Sequence, residues 1–254
     1  MQTKNRPYRL FPILSRFFIS SLLLPAVHAG IVLDGTRVVF PAQEKEVTLQ
    51  ITNDGKTPSL VQVWLDRGDE ADAPDNIEVP FLITPTLSRV DPQAKQVLRI
   101  FYSGEPLAQD RETLFWLNVL DIPPKDAKDA NSLQIAFRTR IKLMYRPMDL
   151  PGDVNKAPEQ LIWSIREEEG KPMLQARNPS AYVTNLGYIA LESEGQTFEA
   201  GPGHVLPGAT ADFPVRPSSK GETPPAKFPA GTAVVYSSLN DWGASKGHKA
   251  ELTQ

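Results

Sequence analysis

The sequence predicts an all-β protein built from two immunoglobulin-like β-sandwich domains. Three observations carry that prediction. After Gly30 the apolar residues mostly alternate with polar ones, which is the period of a half-buried strand. Turn formers are dense, with 24 Pro and 16 Gly, and stretches of helical period are few. The length of 254 residues accommodates two domains at roughly 100–150 residues each.

Composition narrows the function. With 41% hydrophobic and 22% charged residues, the chain is neither disordered nor a polytopic membrane protein. The net charge of −3 conceals an asymmetry, because residues 1–29 hold Lys4, Arg6, Arg9 and Arg16 and no acidic residue. The remainder is therefore mildly acidic and has no basic block, which argues against general nucleic-acid binding. Cysteine is absent, and with it disulfides, thiolate catalysis and zinc–cysteine sites.

The first segment reads as an address. Met1–Arg16 is basic, Phe17–Val27 is apolar, and Val27-His28-Ala29 offers a small residue before a cleavage point. The apolar run is shorter than the roughly 20 residues that span a bilayer. Residues 1–29 are thus expected to be a secretory signal peptide. Removing it leaves an exported chain that begins at Gly30 and does not insert into a membrane.

Strands are expected in order at Ile31–Phe40, Glu46–Asn53, Leu60–Asp66, Phe81–Thr84, Gln96–Tyr102, Thr113–Leu120 and Ser132–Arg146. Turns such as Asn53-Asp54-Gly55-Lys56 and Asp91-Pro92-Gln93 separate them. Their number and spacing fit one sandwich over residues 30–147. Pro147-Met148-Asp149-Leu150-Pro151-Gly152 breaks the alternation and makes 148–152 a short, stiff linker. A second β-sandwich over 153–254 would use strands near Leu161–Glu167, Met173–Asn178, Leu186–Glu192, Ala211–Pro214, Thr232–Leu239 and Ala250–Leu252. The Pro/Gly/Ser-rich stretch from Val215 to Gly231 would be a loop.

Ser132–Arg146 is unusual. One face carries Leu133, Ile135, Phe137, Thr139, Ile141, Leu143 and Tyr145, while Arg138, Arg140, Lys142 and Arg146 occupy the other. At about 3.3 Å per residue, such a strand would run on the order of 50 Å, against the usual 17–20 Å. A small sandwich can hardly cover that length. Either part of the apolar row lies outside the body, made for another chain's groove, or the strand bends at a bulge and stays covered.

No enzyme site emerges. Beyond the signal, the chain has only His204 and His248, and it lacks an HExxH or a paired-histidine motif. Gly201-Pro202-Gly203 lies in no strand-to-helix context, so it is no phosphate loop. The acidic stretch Asp66–Asp75 lacks the pattern of a calcium loop and reads as solvated. Trp116 and Trp163 sit in strand patterns and are expected in the core. No catalytic residue, metal or cofactor is expected.

Residues 107–124, LAQDRETLFWLNVLDIPP, resemble the signature of the periplasmic pilus-assembly chaperones, the PapD-like family of the chaperone–usher pathway. Asp34-Gly-Thr-Arg-Val-Val-Phe-Pro41, Arg140-Ile-Lys-Leu-Met-Tyr-Arg-Pro147 and Asn240-Asp-Trp-Gly243 agree with it. The match is dense over 30–147 and thin over 152–254. This family is itself a standard illustration of β-strand addition, so that mechanism comes with the resemblance and not from the pattern.

The resemblance implies two sandwiches set as a boomerang, resident in the periplasm. They would hold pilus or fimbrial subunits by lending the strand each subunit lacks, and deliver them to an outer-membrane usher. Leu133, Ile135 and Phe137 match the donated hydrophobic residues. Arg37 and Lys142 match the cleft pair that anchors the subunit's C-terminal carboxylate. Glu112, Arg146 and Asp241 match an interdomain salt bridge, expected as a surface network that sets orientation more than stability. Free protein is expected to cap its apolar row by forming a dimer. The reading from a different class is a secreted immunoglobulin-like protein that binds carbohydrate or serves a structural surface role.

Three departures accompany the match. The segment Lys125–Asn131 is short, as in the branch serving adhesive pili. Thr84-Pro85-Thr86 stands where relatives often have two prolines, which leaves the local turn open. The second domain has no disulfide and must rest on packing alone.

Overall fold

The computed structural model describes residues 30–69, 78–125, 134–217, 221, 223–225, 227–229 and 231–253. The expected signal peptide, Leu133 and most of the Lys125–Asn131 segment lie outside these residues, as do parts of the Asp66–Asp75 and Val215–Gly231 stretches. The described chain is all-β, with a single turn of 3-10 helix at Ala157–Gln160.

The first sandwich contains β1 (Ile31–Leu33), β2 (Arg37–Pro41), β3 (Glu46–Asn53), β4 (Ser59–Asp66), β5 (Phe81–Thr84), β6 (Leu87–Val90), β7 (Lys95–Tyr102), β8 (Thr113–Ile122) and β9 (Phe137–Arg146). One sheet has the order β1-β3-β7-β5 and the other β2-β9-β8-β4-β6. Alternation puts Phe40, Ile51, Val61, Leu98, Phe115, Leu117 and Leu143 between the sheets. Phe81 joins Phe40 and Phe115 at ring separations of 5.3 and 5.0 Å.

The second sandwich contains β10 (Ile162–Glu168), β11 (Lys171–Arg177), β12 (Thr184–Ser193), β13 (Gln196–Glu199), β14 (Gly203–Val205), β15 (Thr210–Pro214), β16 (Ala233–Leu239) and β17 (Ser245–Glu251). Its sheets run β10-β11-β15 and β13-β12-β16-β17, with β14 also paired to β12. Trp163, Leu174, Ile189, Leu191, Phe213 and Tyr236 fill the space between them.

Several expectations change. The single strand expected at Ile31–Phe40 is two strands in opposite sheets. The chain crosses between them at Gly35, whose φ of +154° is a conformation that residues with a side chain seldom adopt. The long strand expected from Ser132 begins at Phe137, so its length is about 33 Å and not about 50 Å. Trp163 is in the core as expected, but Trp116 is not: Phe115 and Leu117 point inward, and Trp116 lies on the opposite face. Thr84–Pro85 is cis. The strand expected only at Ala250–Leu252 runs over Ser245–Glu251; its Ser-Lys-Gly-His-Lys start has no apolar alternation because that face is exposed.

Candidate functional site

The site forms around β9, whose two neighbours cover it unequally. On one side β8 pairs with it along Phe137–Tyr145. On the other, β2 runs parallel and pairs only with Lys142–Arg146. Among the described residues, no strand covers Phe137–Ile141 on that second side, so the edge there is open.

The apolar row divides at about the same place. Ile141, Leu143 and Tyr145 are buried in the core. Ile135 and Phe137 are 51% and 64% exposed. Open backbone and uncovered apolar side chains therefore coincide on one stretch of chain, a combination that invites another strand.

The opposite face of β9 is held by charge. Arg140 meets Asp66 at 2.5 Å and stacks on Trp116 at 4.3 Å, while Arg138 lies over Trp64 at 5.0 Å. Asp66 ends β4 and is fully buried, where a solvated loop residue was expected. Burial pushes its carboxyl up, but hydrogen bonds from Arg140, Asn118 and the Gly68 N–H outweigh that and leave it below the ordinary range.

Arg37 and Lys142 stand side by side in register at the point where β2 begins. Arg37 donates to the Leu239 carbonyl of the second domain at 2.9 Å, and its Nε is buried without a partner among the described residues. Lys142 Nζ lies 5.5 Å from the Trp116 ring centroid and has no carboxylate within ion-pair distance among the described residues. Burial, and then the neighbouring Arg37 charge, lower its ammonium to a pKa of about 8. Two half-buried cations stand together here, and only Arg37 feels a nearby carboxylate, the Asp241 charge, which burial outweighs; the uncompensated Lys142 makes this cleft receptive to an anion.

Glu112, Arg146 and Asp241 do meet. Arg146 donates to Glu112 at 2.5 Å and to both oxygens of Asp241 at 2.7 and 2.9 Å. The other Glu112 oxygen accepts from the Val183 N–H at 2.7 Å. Glu112 is only 3% exposed, so this is a mostly buried bridge between the sandwiches and not the surface network that was expected. Burial holds its carboxyl above the ordinary range although Arg146 and the Val183 N–H pull it down. For Arg146, burial opposes the charge, but hydrogen bonding to Asp241 and the Glu112 charge raise its pKa.

Of the sequence-predicted site residues, Arg37 and Lys142 adjoin, and Glu112, Arg146 and Asp241 form one cluster. Ile135 and Phe137 are exposed, while Leu133 lies outside the described residues. Sequence reasoning missed the Asp66–Arg140 lock and the cleft position of Trp116. The cation face of β9 was the available clue, since stacked arginines need aromatic or acidic neighbours.

Two immunoglobulin-like sandwiches, an anion-receptive cleft and a half-open apolar edge define a protein-binding module. Residues 30–151 match the model of the pili and flagellar-assembly chaperone PapD N-terminal domain, and residues 156–250 that of the pili assembly chaperone PapD C-terminal domain. The chain belongs to the PapD-like pilus-assembly chaperones, and it is accordingly a chaperone and not an enzyme.

Relatives agree along nearly the whole chain. The probable fimbrial chaperone YadV of Escherichia coli K12 is 39% identical over 229 residues, covering 88% of this chain and 90% of the relative. Chaperone protein FimB/FhaD of Bordetella pertussis is 36% identical over 236 residues, 91% of both chains. Among solved structures, the Pseudomonas aeruginosa CupB2 chaperone superposes with a TM-score of 0.71 at 35% identity, covering 87% of this chain and 100% of the other. The YadV chaperone gives a TM-score of 0.74 at 34% identity, covering 88% and 100%.

Proposed function

We propose that this chain is a periplasmic chaperone that holds pilus subunits by adding the first part of β9 to each subunit's sheet, then passes them to an outer-membrane usher. The observation that carries the reading is the half-open strand: Ile135 and Phe137 are exposed beside unpaired backbone, while Ile141, Leu143 and Tyr145 of the same row are buried. Leu133 would extend the donated row. Burying each such side chain in a subunit contributes roughly 1.5–3 kcal/mol before the losses of association.

Arg37 and Lys142 would anchor the subunit's terminal carboxylate. That anchor also dictates direction. A strand lying along Phe137–Ile141 with its C-terminal end at Lys142 must run the same way as β9, in line with β2. It fixes register too, because a slip of one residue turns every side chain to the wrong face.

Glu112, Arg146 and Asp241 would hold the two sandwiches, taken as 30–147 and 153–254 about a 148–152 linker, in the boomerang setting that keeps the cleft open. Export by the 1–29 signal would bring the chain to the periplasm. A free molecule would cap the exposed row by self-association.

Co-expression with a fimbrial subunit and recovery of a one-to-one complex tests the reading. Ile135→Asp should abolish recovery while leaving the chaperone folded. Normal subunit yield from that variant would refute strand addition.

A further inference from the structure

The second domain also lines the cleft. Gly201-Pro202-Gly203-His204 leads into β14, with Gly201 at a φ of +82°. A Cβ on Gly203 would lie 2.6 Å from the Phe213 ring, so only glycine lets β14 settle this close to β15. Val205 then points into the core and is fully buried, and strand alternation turns His204 the other way. Its imidazole meets Trp116 of the first domain edge-on, at a ring separation of 5.7 Å and 72°.

Trp116 is the register partner of Lys142, which is the register partner of Arg37. His204 therefore stands over the row that forms the cleft. Among the described residues its imidazole has no hydrogen-bond partner, and its ring nitrogens are not among the buried unsatisfied atoms. Burial, and then the Lys142 charge, lower it to a pKa of about 4, so the ring is neutral and keeps one N–H donor at neutral pH. An approaching carboxylate would meet two cations on one wall and a neutral donor on the other.

We infer that His204 is a third recognition group of the cleft, donating a hydrogen bond from the second domain to the terminal carboxylate that Arg37 and Lys142 attract. The inference rests on the carboxylate-anchor reading given above. It gives the second sandwich a direct part in subunit capture and makes recognition depend on how the two domains are set.

The test compares a fimbrial subunit ending in a free α-carboxylate with the same subunit ending in a carboxamide. Each is titrated against wild-type chaperone, His204→Phe and His204→Gln, with thermal unfolding confirming that all three fold. Phe keeps the ring against Trp116 but has no donor; Gln keeps a donor without the ring. His204→Phe should bind the acid form about tenfold more weakly and the amide form unchanged, with His204→Gln retaining most of the acid preference. Acid binding by His204→Phe equal to wild type would overturn the inference. So would a loss shared equally by acid and amide, or a Gln variant no better than Phe, since either would reduce His204 to a packing contact. Failure of the anchor itself looks different: the wild-type protein would then not distinguish acid from amide.

Discussion

The two halves of β9 share one sequence pattern and have opposite fates. From Ile141 to Tyr145 the apolar row is sealed in the core, with β2 and β8 on either side. From Ile135 to Phe137 the same alternation continues into solvent. The inner half can be explained by the stability of this molecule. The outer half cannot, because exposing two large apolar side chains beside an unpaired edge gains the folded chain nothing and risks aggregation. The contrast teaches that periodicity tells which way a side chain points, and coverage tells whose core it belongs to.

Mutations can sharpen that contrast, taken in order of their expected effect on stability. Leu143→Ala in the inner half should cost about 2–5 kcal/mol in denaturant unfolding, since a fully buried leucine leaves a cavity. A loss below about 1 kcal/mol would mean that the inner half is not the structural half. Arg146→Ala strands the buried Glu112 and should cost about 3 kcal/mol, read as a lower Tm together with changed small-angle scattering from a freed domain angle. Asp241→Ala leaves the Arg146–Glu112 pair intact and should cost about 1 kcal/mol.

Lys142→Met should act in the opposite direction. The folded-state pKa of about 8 lies below the ordinary value of 10.5, so the folded chain resists carrying this proton. That penalty is complete below about pH 8 and fades as pH rises toward 10.5. The variant should therefore be about 1–2 kcal/mol more stable than wild type at pH 7, an advantage that shrinks above pH 8, while subunit capture weakens. In the wild type a bound carboxylate would raise the Lys142 pKa, so affinity should fall as pH climbs past about 8. A pH-independent affinity between 7 and 10 would remove Lys142 from the anchor.

The smallest stability effect belongs to the outer half. Ile135→Asp should shift unfolding by no more than about 0.5 kcal/mol, yet it should have the largest effect on subunit recovery. If it destabilised the chaperone as much as Leu143→Ala, the two halves of the strand would not differ in kind.

Much of this was legible in the chain. Alternation located most strands within a few residues, because a half-buried strand shows its period directly. The failures were local and physical. Ile31–Phe40 read as one strand because apolar residues flank Asp34-Gly35-Thr36-Arg37 on both sides, although the inward set switches there from Ile31 and Leu33 to Val38 and Phe40 and the backbone turns. Short strands such as β6, β13 and β14 lacked enough residues to display a period. Trp116 read as core because size and hydrophobicity do not reveal which face of a strand is inside.

The sequence by itself determined the all-β character, the division into two sandwiches and the residue types at each candidate position, since these follow from spacing and side-chain chemistry along the chain. Tertiary structure alone decided that β2 begins only at Arg37, that Glu112 is buried against Val183, and that His204 faces Trp116 across the domains. Those facts depend on contacts between residues about 70 to 105 positions apart, and local period carries no information about which distant surface closes over a side chain and which leaves it open.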